Sequence, residues 1–191
     1  MRAVVLDGAE EGDPVLRRVR GIVEAELRGL KWEVSAFSLH GMDVAPCRGC
    51  FSCWTATPGR CAVSDDAEIV LKAVVPSDLA VFLTPVTFGG YNALLKNAVD
   101  RMLPLLSPFF LRRDGVFLQR SRYARNPRLL GIGVLSAPDM ESVRVFTTQV
   151  HQNAEKLDSP ARAALVLSSR HGSDLLAENV RNALTRVEIA R

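Results

Sequence analysis

The feature that most restricts the fold of this chain is an alternation of short apolar runs with longer stretches of helical periodicity. The apolar runs are predicted strands, in chain order residues 2–7, 32–39, 79–84, 129–135 and 163–168. The stretches that follow them place apolar residues about every 3.6 positions and are predicted helices. These helices cover residues 15–30, a segment from Asp65 to Pro76, and residues 91–103, 141–157 and 173–189. Strands that alternate with helices predict an α/β fold, with helices on both faces of a parallel sheet.

Local sequence signals predict where two of these helices begin. Asp13 followed by Pro14 is a strong helix start, because a carboxylate can cap the free amides and proline suits the first helical position. Asp65 with Glu68 three residues later resembles a capping box. We therefore expect Asp65 to cap the helix that follows the cysteine-rich segment.

Length and charge narrow the classes of protein that this chain can belong to. Its 191 residues contain no repeat, low-complexity run or linker, so they predict one domain with a cysteine loop at 46–65 and an insertion at 104–127. The net charge of +3 implies no nucleic-acid partner. No apolar run approaches the roughly 20 residues of a membrane span, and no signal peptide is evident. These features predict a cytoplasmic protein without a membrane partner.

All four cysteines of the chain lie in one short segment, at Cys47, Cys50, Cys53 and Cys61. The spacing of the first three lets one tight turn direct their sulfurs inward, and a Pro-Gly turn can return the fourth to the same place. Three interpretations remain open. The thiolates can hold a cubane iron–sulfur cluster. They can hold a zinc ion, although zinc usually takes two separated cysteine pairs. They can also be free thiols that pack as small hydrophobes. The spacing predicts a shared site without identifying its occupant.

The loops after the strands are where a ligand is expected, because open α/β sheets bind ligands beyond the carboxyl ends of their strands. These loops are residues 8–13, 40–65, 84–90 and 136–140. In the third loop, proline gives rigidity, paired glycines let a planar ring approach the backbone, and two aromatic residues offer stacking surfaces. We therefore predict that the cysteine loop and this Pro-Gly bend open onto one crevice.

The first loop, at the start of the first helix, is where a phosphate is expected, and its sequence suits that role poorly. Glu10, Glu11 and Asp13 are acidic, and Asp13 would occupy the amides that an anion needs. The insertion at 104–127 is rich in Arg and aromatic residues and is too long for an ordinary connection. It can be a solvated charged loop, a binding site for a cofactor phosphate or, as its aromatic residues favour, a contact between subunits.

Two segments of the chain resemble the flavodoxin-like NAD(P)H-dependent FMN reductase family, and in particular its cysteine-loop branch, which includes the iron–sulfur flavoproteins. One is the cysteine motif followed by Asp65-Asp66. The other is Thr-Pro-Val-Thr-Phe-Gly-Gly-Tyr at residues 84–91, with Leu95-Lys96 and Asp100-Arg101 in the helix behind it. The resemblance covers about residues 2–150.

This resemblance implies a three-layer flavodoxin-like fold with five parallel strands in the order 2-1-3-4-5 and FMN at the strand ends. It also implies hydride transfer from NAD(P)H to FMN, electron delivery to a quinone or other small acceptor, and a homodimer or homotetramer. No side chain is implied as a catalytic acid or base. The implied FMN-binding residues are Gly8, Ala9 and Asp13 near the phosphate, Thr84, Pro85, Val86, Thr87, Phe88, Gly89 and Gly90 along the isoalloxazine, and Ser136, Ala137 and Pro138 at its far edge.

The resemblance leaves two questions open. Members similar to the iron–sulfur flavoproteins hold a [4Fe-4S] cluster on their four cysteines, whereas other members leave the thiols free. The family usually places Ser, Arg or Thr in the first loop where this chain has Glu10 and Glu11. A second hypothesis is therefore a non-enzymatic relative that keeps the fold, lacks a working phosphate site, and senses metal or redox state or binds a partner.

Overall fold

The structure is a computed structural model that describes residues 1–113, 115–137 and 139–189. Its strands are β1 (Arg2–Asp7), β2 (Glu33–Ser38), β3 (Leu79–Thr87), β4 (Gly90–Tyr91), β5 (Leu106–Arg113), β6 (Val116–Ser121), β7 (Arg128–Leu135) and β8 (Arg162–Ser168). Its helices are α1 (Pro14–Gly29), α2 (Ala67–Val74), α3 (Ala93–Asp100), α4 (Met140–Lys156) and α5 (Ser173–Ile189).

The main sheet is parallel and has the order β2-β1-β3-β7-β8, which confirms the predicted order of the five main strands. In the middle of β1, Leu6 pairs with Phe37 of β2 on one side and with Phe82 of β3 on the other. Strand β1 and most of β3 are buried because helices cover both faces of the sheet. This burial explains why their sequences are continuous apolar runs rather than alternating patterns.

Helices α1 and α5 cover one face of the sheet, and α2, α3 and α4 cover the other. Neighbouring residues of β1 point to opposite faces, so Val5 packs in the core of the first face and Leu6 in the core of the second. Fully buried helix side chains such as Val19 of α1 and Phe146 of α4 fill these two cores. The arrangement is the predicted three-layer sandwich.

The strand that was predicted to end at Thr84 continues to Thr87 and then turns back as the short antiparallel strand β4. The turn consists of Phe88 and Gly89, whose φ angles of 50° and 76° are both positive. Two positive φ angles are the signature of a type I′ hairpin turn. The prediction of a plain loop over 85–90 was therefore wrong, and the described part of the main sheet has six strands.

The capping box predicted around Asp65 is formed only in part. Oδ1 of Asp65 accepts a hydrogen bond at 3.1 Å from the amide of Ala67, the first residue of α2. Asp66 occupies the N-cap position itself, and Glu68 forms ion pairs with Lys72 and Arg60 instead of reaching back to the cap. The predicted cap at Asp13 is confirmed, since its carboxylate accepts hydrogen bonds from two amides at the start of α1. The Asp65 carboxylate also closes the cysteine loop described below.

The insertion at 104–127 contains the antiparallel hairpin of β5 and β6. Three of its aromatic side chains, Phe109, Phe110 and Phe117, are 59–71% exposed. No helix in the described ranges is long and apolar enough to cross a membrane.

Candidate functional site

The parallel neighbours β1, β3 and β7 bring the first loop, the Pro-Gly bend and the segment after β7 to one edge of the sheet. The amide of Gly8 donates to the carbonyl oxygen of Leu83 at 2.8 Å, and Nδ2 of Asn92 donates to the carbonyl oxygen of Gly8 at 2.7 Å. A Cβ on Gly8 would lie 2.8 Å from Oδ1 of Asn92, so this approach leaves no room for a side chain. The first loop and the bend are therefore joined directly.

Thr84 lies inside this junction and not on its surface. Its side chain is fully buried, and its hydroxyl lies 3.1 Å from Oδ1 of Asn92 and 2.8 Å from the carbonyl oxygen of Pro85. The amide of Asn92 donates back to the same hydroxyl at 3.2 Å, and Oδ1 of Asn92 also caps α3. Through these contacts the Thr84 hydroxyl holds the bend against the start of α3. Thr84 therefore positions the bend as a buried residue and does not face a ligand.

The tip of the hairpin is the exposed part of the bend. Phe88 is fully exposed, and Thr87 beside it is also exposed. Gly89 is buried against α4, where an added Cβ would lie 3.0 Å from the side chain of Val145. The contact with α4 fixes the turn, and the turn presents the Phe88 ring outward.

The remaining bend residues, Pro85, Val86 and Gly90, are half-buried. After β7, Ser136 and Ala137 are exposed at the same edge of the sheet, while the predicted residue Pro138 lies outside the described residues. The segment is tied to β8 by the amide of Ser169, which donates to the carbonyl oxygen of Leu135 at 2.8 Å.

The amides at the two ends of the first loop are engaged within the chain. Oδ1 of Asp13 accepts from the amides of Val15 and Leu16 at 2.9 and 3.0 Å, and the amide of Ala9 donates to the carboxylate of Asp7 at 2.9 Å. Burial raises the pKa of Asp7, although its hydrogen bonds oppose that shift. These three amides are therefore not free to bind the phosphate that is expected near Gly8, Ala9 and Asp13.

The four cysteines line one small cavity of about 20 Å³. All four thiols are free; Cys47 and Cys50 are exposed, Cys61 is half-buried and Cys53 is buried. Burial, together with the nearby thiols, raises the pKa of Cys53, whereas hydrogen bonds from Ser52 lower that of Cys50. The predicted residues Cys47, Cys50, Cys53 and Cys61 therefore border the same cavity, and a shared metal site stays a prediction.

The chemistry of the four thiols limits the possible occupants of this cavity. Within residues 1–113, 115–137 and 139–189, no group of three His, Cys, Asp or Glu side chains is arranged to hold a metal ion. A zinc site needs its sulfurs about 2.3 Å from one ion, whereas a cubane carries its thiolates on irons at separate corners. Four free thiols supply the donor set of either occupant.

A buried ion pair closes the cysteine loop at its base. The guanidinium of Arg101 makes two hydrogen bonds to the Asp65 carboxylate, at 2.6 and 2.8 Å, and both side chains are 2–3% exposed. The same guanidinium donates to the carbonyl oxygens of Ala45 at 2.8 Å and Val63 at 3.1 Å. Arg101 thus holds together the two ends of the loop that carries the thiols.

The electrostatics of this pair keep both groups charged. Burial is the largest single influence and favours the neutral form of each. The hydrogen bonds and charge attraction between the two groups, with the Ala45 and Ala67 amides that also donate to Asp65, together outweigh it, so the pKa of Asp65 is lowered and that of Arg101 is raised. Cys61 also raises the pKa of Arg101. Nε of Arg101 is buried and has no hydrogen-bond partner in the described part of the chain. The sequence analysis missed this clamp, although both residues stand in the quoted motifs.

The cysteine cavity and the bend lie at opposite ends of α3. Asn92, which follows the bend, caps the start of α3, whereas Asp100 and Arg101 at its end line the cysteine cavity. An eight-residue helix separates them by about 12 Å. The bend and the cysteine cavity are therefore neighbours separated by one short helix, and the single crevice expected from the sequence stays a prediction.

Comparison with known proteins gives a family match and several more distant likenesses. The family model of the NADPH-dependent FMN reductases matches residues 1–115. An iron-sulfur flavoprotein of Methanocaldococcus jannaschii is 38% identical over 80 residues, which are 42% of this chain and 40% of that protein. An iron-sulfur flavoprotein of Archaeoglobus fulgidus is 29% identical over 101 residues, 53% of this chain and 48% of that protein. The matches span less than half the length of each relative.

Two solved structures share the fold over nearly the whole chain. The NAD(P)H:quinone oxidoreductase from Methanothermobacter marburgensis has a TM-score of 0.70 at 11% identity, covering 96% of this chain and 94% of that one. The FMN-dependent NADH-azoreductase from Bacillus anthracis has a TM-score of 0.64 at 10% identity, covering 100% and 99%. At such identities the likeness establishes the fold, which is flavodoxin-like as predicted.

Proposed function

The chain belongs to the NADPH-dependent FMN reductase family, and on that premise we propose that it is a flavin-dependent oxidoreductase. When bound, FMN supplies the redox chemistry, namely acceptance of a hydride from NAD(P)H and delivery of electrons to a quinone or other small acceptor. The protein binds and orients the flavin, and no side chain is assigned as a catalytic acid or base.

The observation that carries this proposal is the meeting of three loops at the carboxyl edge of β1, β3 and β7, with Phe88 exposed at its rim. In the proposed site, residues 85–90 and the exposed Ser136 and Ala137 line the flavin ring. Thr84 acts from inside by fixing the bend, and Gly8, Ala9 and Asp13 face the phosphate end. A flat aromatic surface on a rigid turn suits stacking against a planar ring.

A titration of the purified protein with FMN, followed by an assay with NAD(P)H and a quinone, tests the proposal. We expect flavin fluorescence to change on binding, and we expect acceptor reduction that requires FMN. Protein that leaves flavin fluorescence unchanged and oxidises no NAD(P)H in the presence of FMN would contradict the proposal. Replacing Phe88 with Ala should weaken FMN binding, while Leu30→Ala, an exposed apolar residue at the end of α1, serves as the control.

We further propose that Cys47, Cys50, Cys53 and Cys61 hold a [4Fe-4S] cluster. Support comes from four free thiols around one cavity and from the iron-sulfur flavoproteins among the curated relatives. Anaerobically prepared protein should absorb broadly in the visible range, and Cys50→Ser should lose about four irons per chain. Iron-free protein from a strictly anaerobic preparation would contradict the cluster and leave the flavin proposal intact.

We propose that residues 1–191 form one flavodoxin-like domain that works in the cytoplasm as a homodimer or homotetramer. The hairpin of β5 and β6 is the proposed contact between copies, because it exposes Phe109, Phe110 and Phe117 on one short ribbon. Sedimentation of the protein with these three residues replaced by Ser should show a smaller assembly than the unchanged chain.

A second candidate function is a non-enzymatic module that senses metal or redox state, or binds a partner, through the cysteine loop. The specific observation in its favour is the first loop, where Asp13 occupies the first amides of α1 and Glu10 and Glu11 are exposed. FMN-dependent acceptor reduction by the purified chain would exclude this candidate. Iron binding without any flavin binding would favour it.

A further inference from the structure

A cavity of about 340 Å³ lies beside the cysteine loop and away from the strand-end edge. Three parts of the chain form its walls: the end of the cysteine loop at Cys61 and Val63, one side of α2 at Leu71, and the base of the β5–β6 hairpin at Leu105 and Tyr123. Its size is within the range of small-molecule sites, roughly 300–1,000 Å³. None of the functions proposed above uses it.

The walls of this cavity are mainly apolar. Leu71 and Val75 are partly buried residues of α2 that pack against the core, and Leu105 is buried on the opposite side. The ring of Tyr123 is 37% exposed at the edge of the cavity. An apolar slot with an aromatic rim suits a flat, unsaturated molecule better than a sugar or a peptide.

The polar groups at the mouth carry a surplus of positive charge. Glu68 is ion-paired both with Lys72, at 2.9 Å, and with Arg60, at 3.4 Å. Lys72 and then Arg60 lower the pKa of Glu68, so the carboxylate is charged at neutral pH. Two cations facing one carboxylate leave one positive charge unmatched, and both cations are mostly exposed. A ligand with a single anionic group is therefore favoured over a cationic one.

Cys61 lines both this cavity and the smaller cysteine cavity. A molecule bound here would be in contact with the residue that also bounds the four-thiol site, whereas the Pro-Gly bend lies at the far end of α3. We propose that this cavity, which we name the α2 pocket, binds a flat, mainly apolar anion of the quinone class. The identification of that ligand as an electron acceptor rests on the proposed function, but the binding site itself does not.

The binding test uses the full chain and anthraquinone-2-sulfonate, an anionic quinone whose fused rings resist addition of thiols. Isothermal titration calorimetry should show saturable binding. Leu71→Trp, which fills the pocket from α2, should weaken that binding more than about tenfold. The matched control is Ile69→Trp on the exposed side of the same helix, which is 54% exposed and should leave binding unchanged. Equal binding by the wild type and Leu71→Trp overturns the proposal.

The charge test replaces Arg60 and Lys72 with Gln, singly and together. Each replacement should weaken binding of the sulfonate by about threefold, the size of an exposed ion-pair effect. Binding of uncharged 2-(hydroxymethyl)anthraquinone should not change. The control Arg28→Gln removes an exposed, ion-paired arginine of α1, on the opposite face of the sheet, and should not change the affinity for either probe. Equal weakening of both probes by the Arg60 and Lys72 replacements would overturn the anionic part of the proposal.

The outcomes separate this proposal from the proposed function. If the wild type binds the probe, Leu71→Trp does not, and the protein binds no FMN, the α2 pocket is supported and the flavin reductase proposal is contradicted. If the protein reduces quinones with FMN but Leu71→Trp binds the probe as well as the wild type does, the reductase proposal is supported and the α2 pocket proposal is overturned. Folding of Leu71→Trp is checked by its circular dichroism spectrum, and Leu71→Ala, which enlarges the pocket, should retain probe binding if the site is as described.

Discussion

The Pro-Gly bend and the cysteine loop both follow strands of the same sheet, yet they are held in different ways. The bend is a hairpin fixed by backbone pairing and by one neutral network between Thr84 and Asn92. The cysteine loop has no helix or strand between residues 42 and 66, and its one buried ion pair, Arg101 with Asp65, joins its two ends. Hydrogen bonds such as those from Trp54 to the carbonyl oxygen of Leu103 and from the Asp43 amide to Asp66 add to this pair. One site is therefore built into the sheet, whereas the other is a loop whose base is closed by a buried charged pair.

The largest effect that this comparison predicts is on the clamp. Arg101→Met should lower the free energy of unfolding by about 3–5 kcal/mol, because it leaves the buried Asp65 carboxylate without its partner. Urea unfolding followed by circular dichroism measures the loss. The control Arg181→Met breaks an exposed pair with Glu26 and should cost about 1 kcal/mol or less. Similar losses in the two variants would mean that the cysteine loop does not depend on this pair.

A smaller effect is expected for the network under the bend. Thr84→Val keeps the shape of the side chain and removes the hydroxyl, which leaves the amide of Asn92 without its acceptor. The free energy of unfolding should fall by about 1–3 kcal/mol. Thr148→Val, which removes an exposed hydroxyl on α4, is the matched control and should change stability little. If Thr84→Val costs as little as its control, the bend is held by its hairpin alone.

The pH dependence of stability should separate the two regions further. The pKa of Asp65 is lowered in the folded state, so its contribution is present above the unfolded value near 3.8 and is lost as the pH falls through the folded value. Asp65→Asn should therefore reduce the slope of unfolding free energy against pH in that acidic range. An unchanged slope in Asp65→Asn would contradict the assignment of a charged clamp.

The smallest expected difference concerns the phosphate end of the flavin site. Because Asp13 and Asp7 use the amides of Val15, Leu16 and Ala9, the phosphate of FMN should gain few hydrogen bonds. We therefore expect FMN and riboflavin to bind with affinities within about tenfold of each other. A preference for FMN of a thousandfold or more would mean that the first loop rearranges to bind the phosphate.

Much of the fold could be predicted from the sequence because local patterns determine it. Strand β1 and helix α5 have the predicted limits, since a short apolar run and a clear helical period leave little ambiguity. The hairpin at the bend was missed because it places Phe88 at positive φ, a conformation that its residue type does not suggest. The strand therefore looked as if it ended at Thr84.

The candidate site could be predicted from the sequence only in part. The spacing of the cysteines correctly predicted that they share one cavity. The clamp between Asp65 and Arg101 joins residues 36 positions apart, and no local pattern reports such a contact. The position of the cysteine cavity at the end of α3 was missed for the same reason. The end of a strand indicates the edge of the sheet at which a loop begins, but not the place to which a long loop folds back.

The most direct test of the account is a set of three FMN titrations, which determine whether the bend, and not the cysteine loop, binds the flavin. FMN affinity is measured for the wild type, Phe88→Ala and Cys50→Ser, with iron content determined on the same samples. Phe88→Ala should weaken FMN binding by about tenfold, as expected for loss of one stacking contact, and keep its iron. Cys50→Ser should lose iron and keep its FMN affinity. Loss of FMN binding in Cys50→Ser, with Phe88→Ala unchanged, would contradict the account.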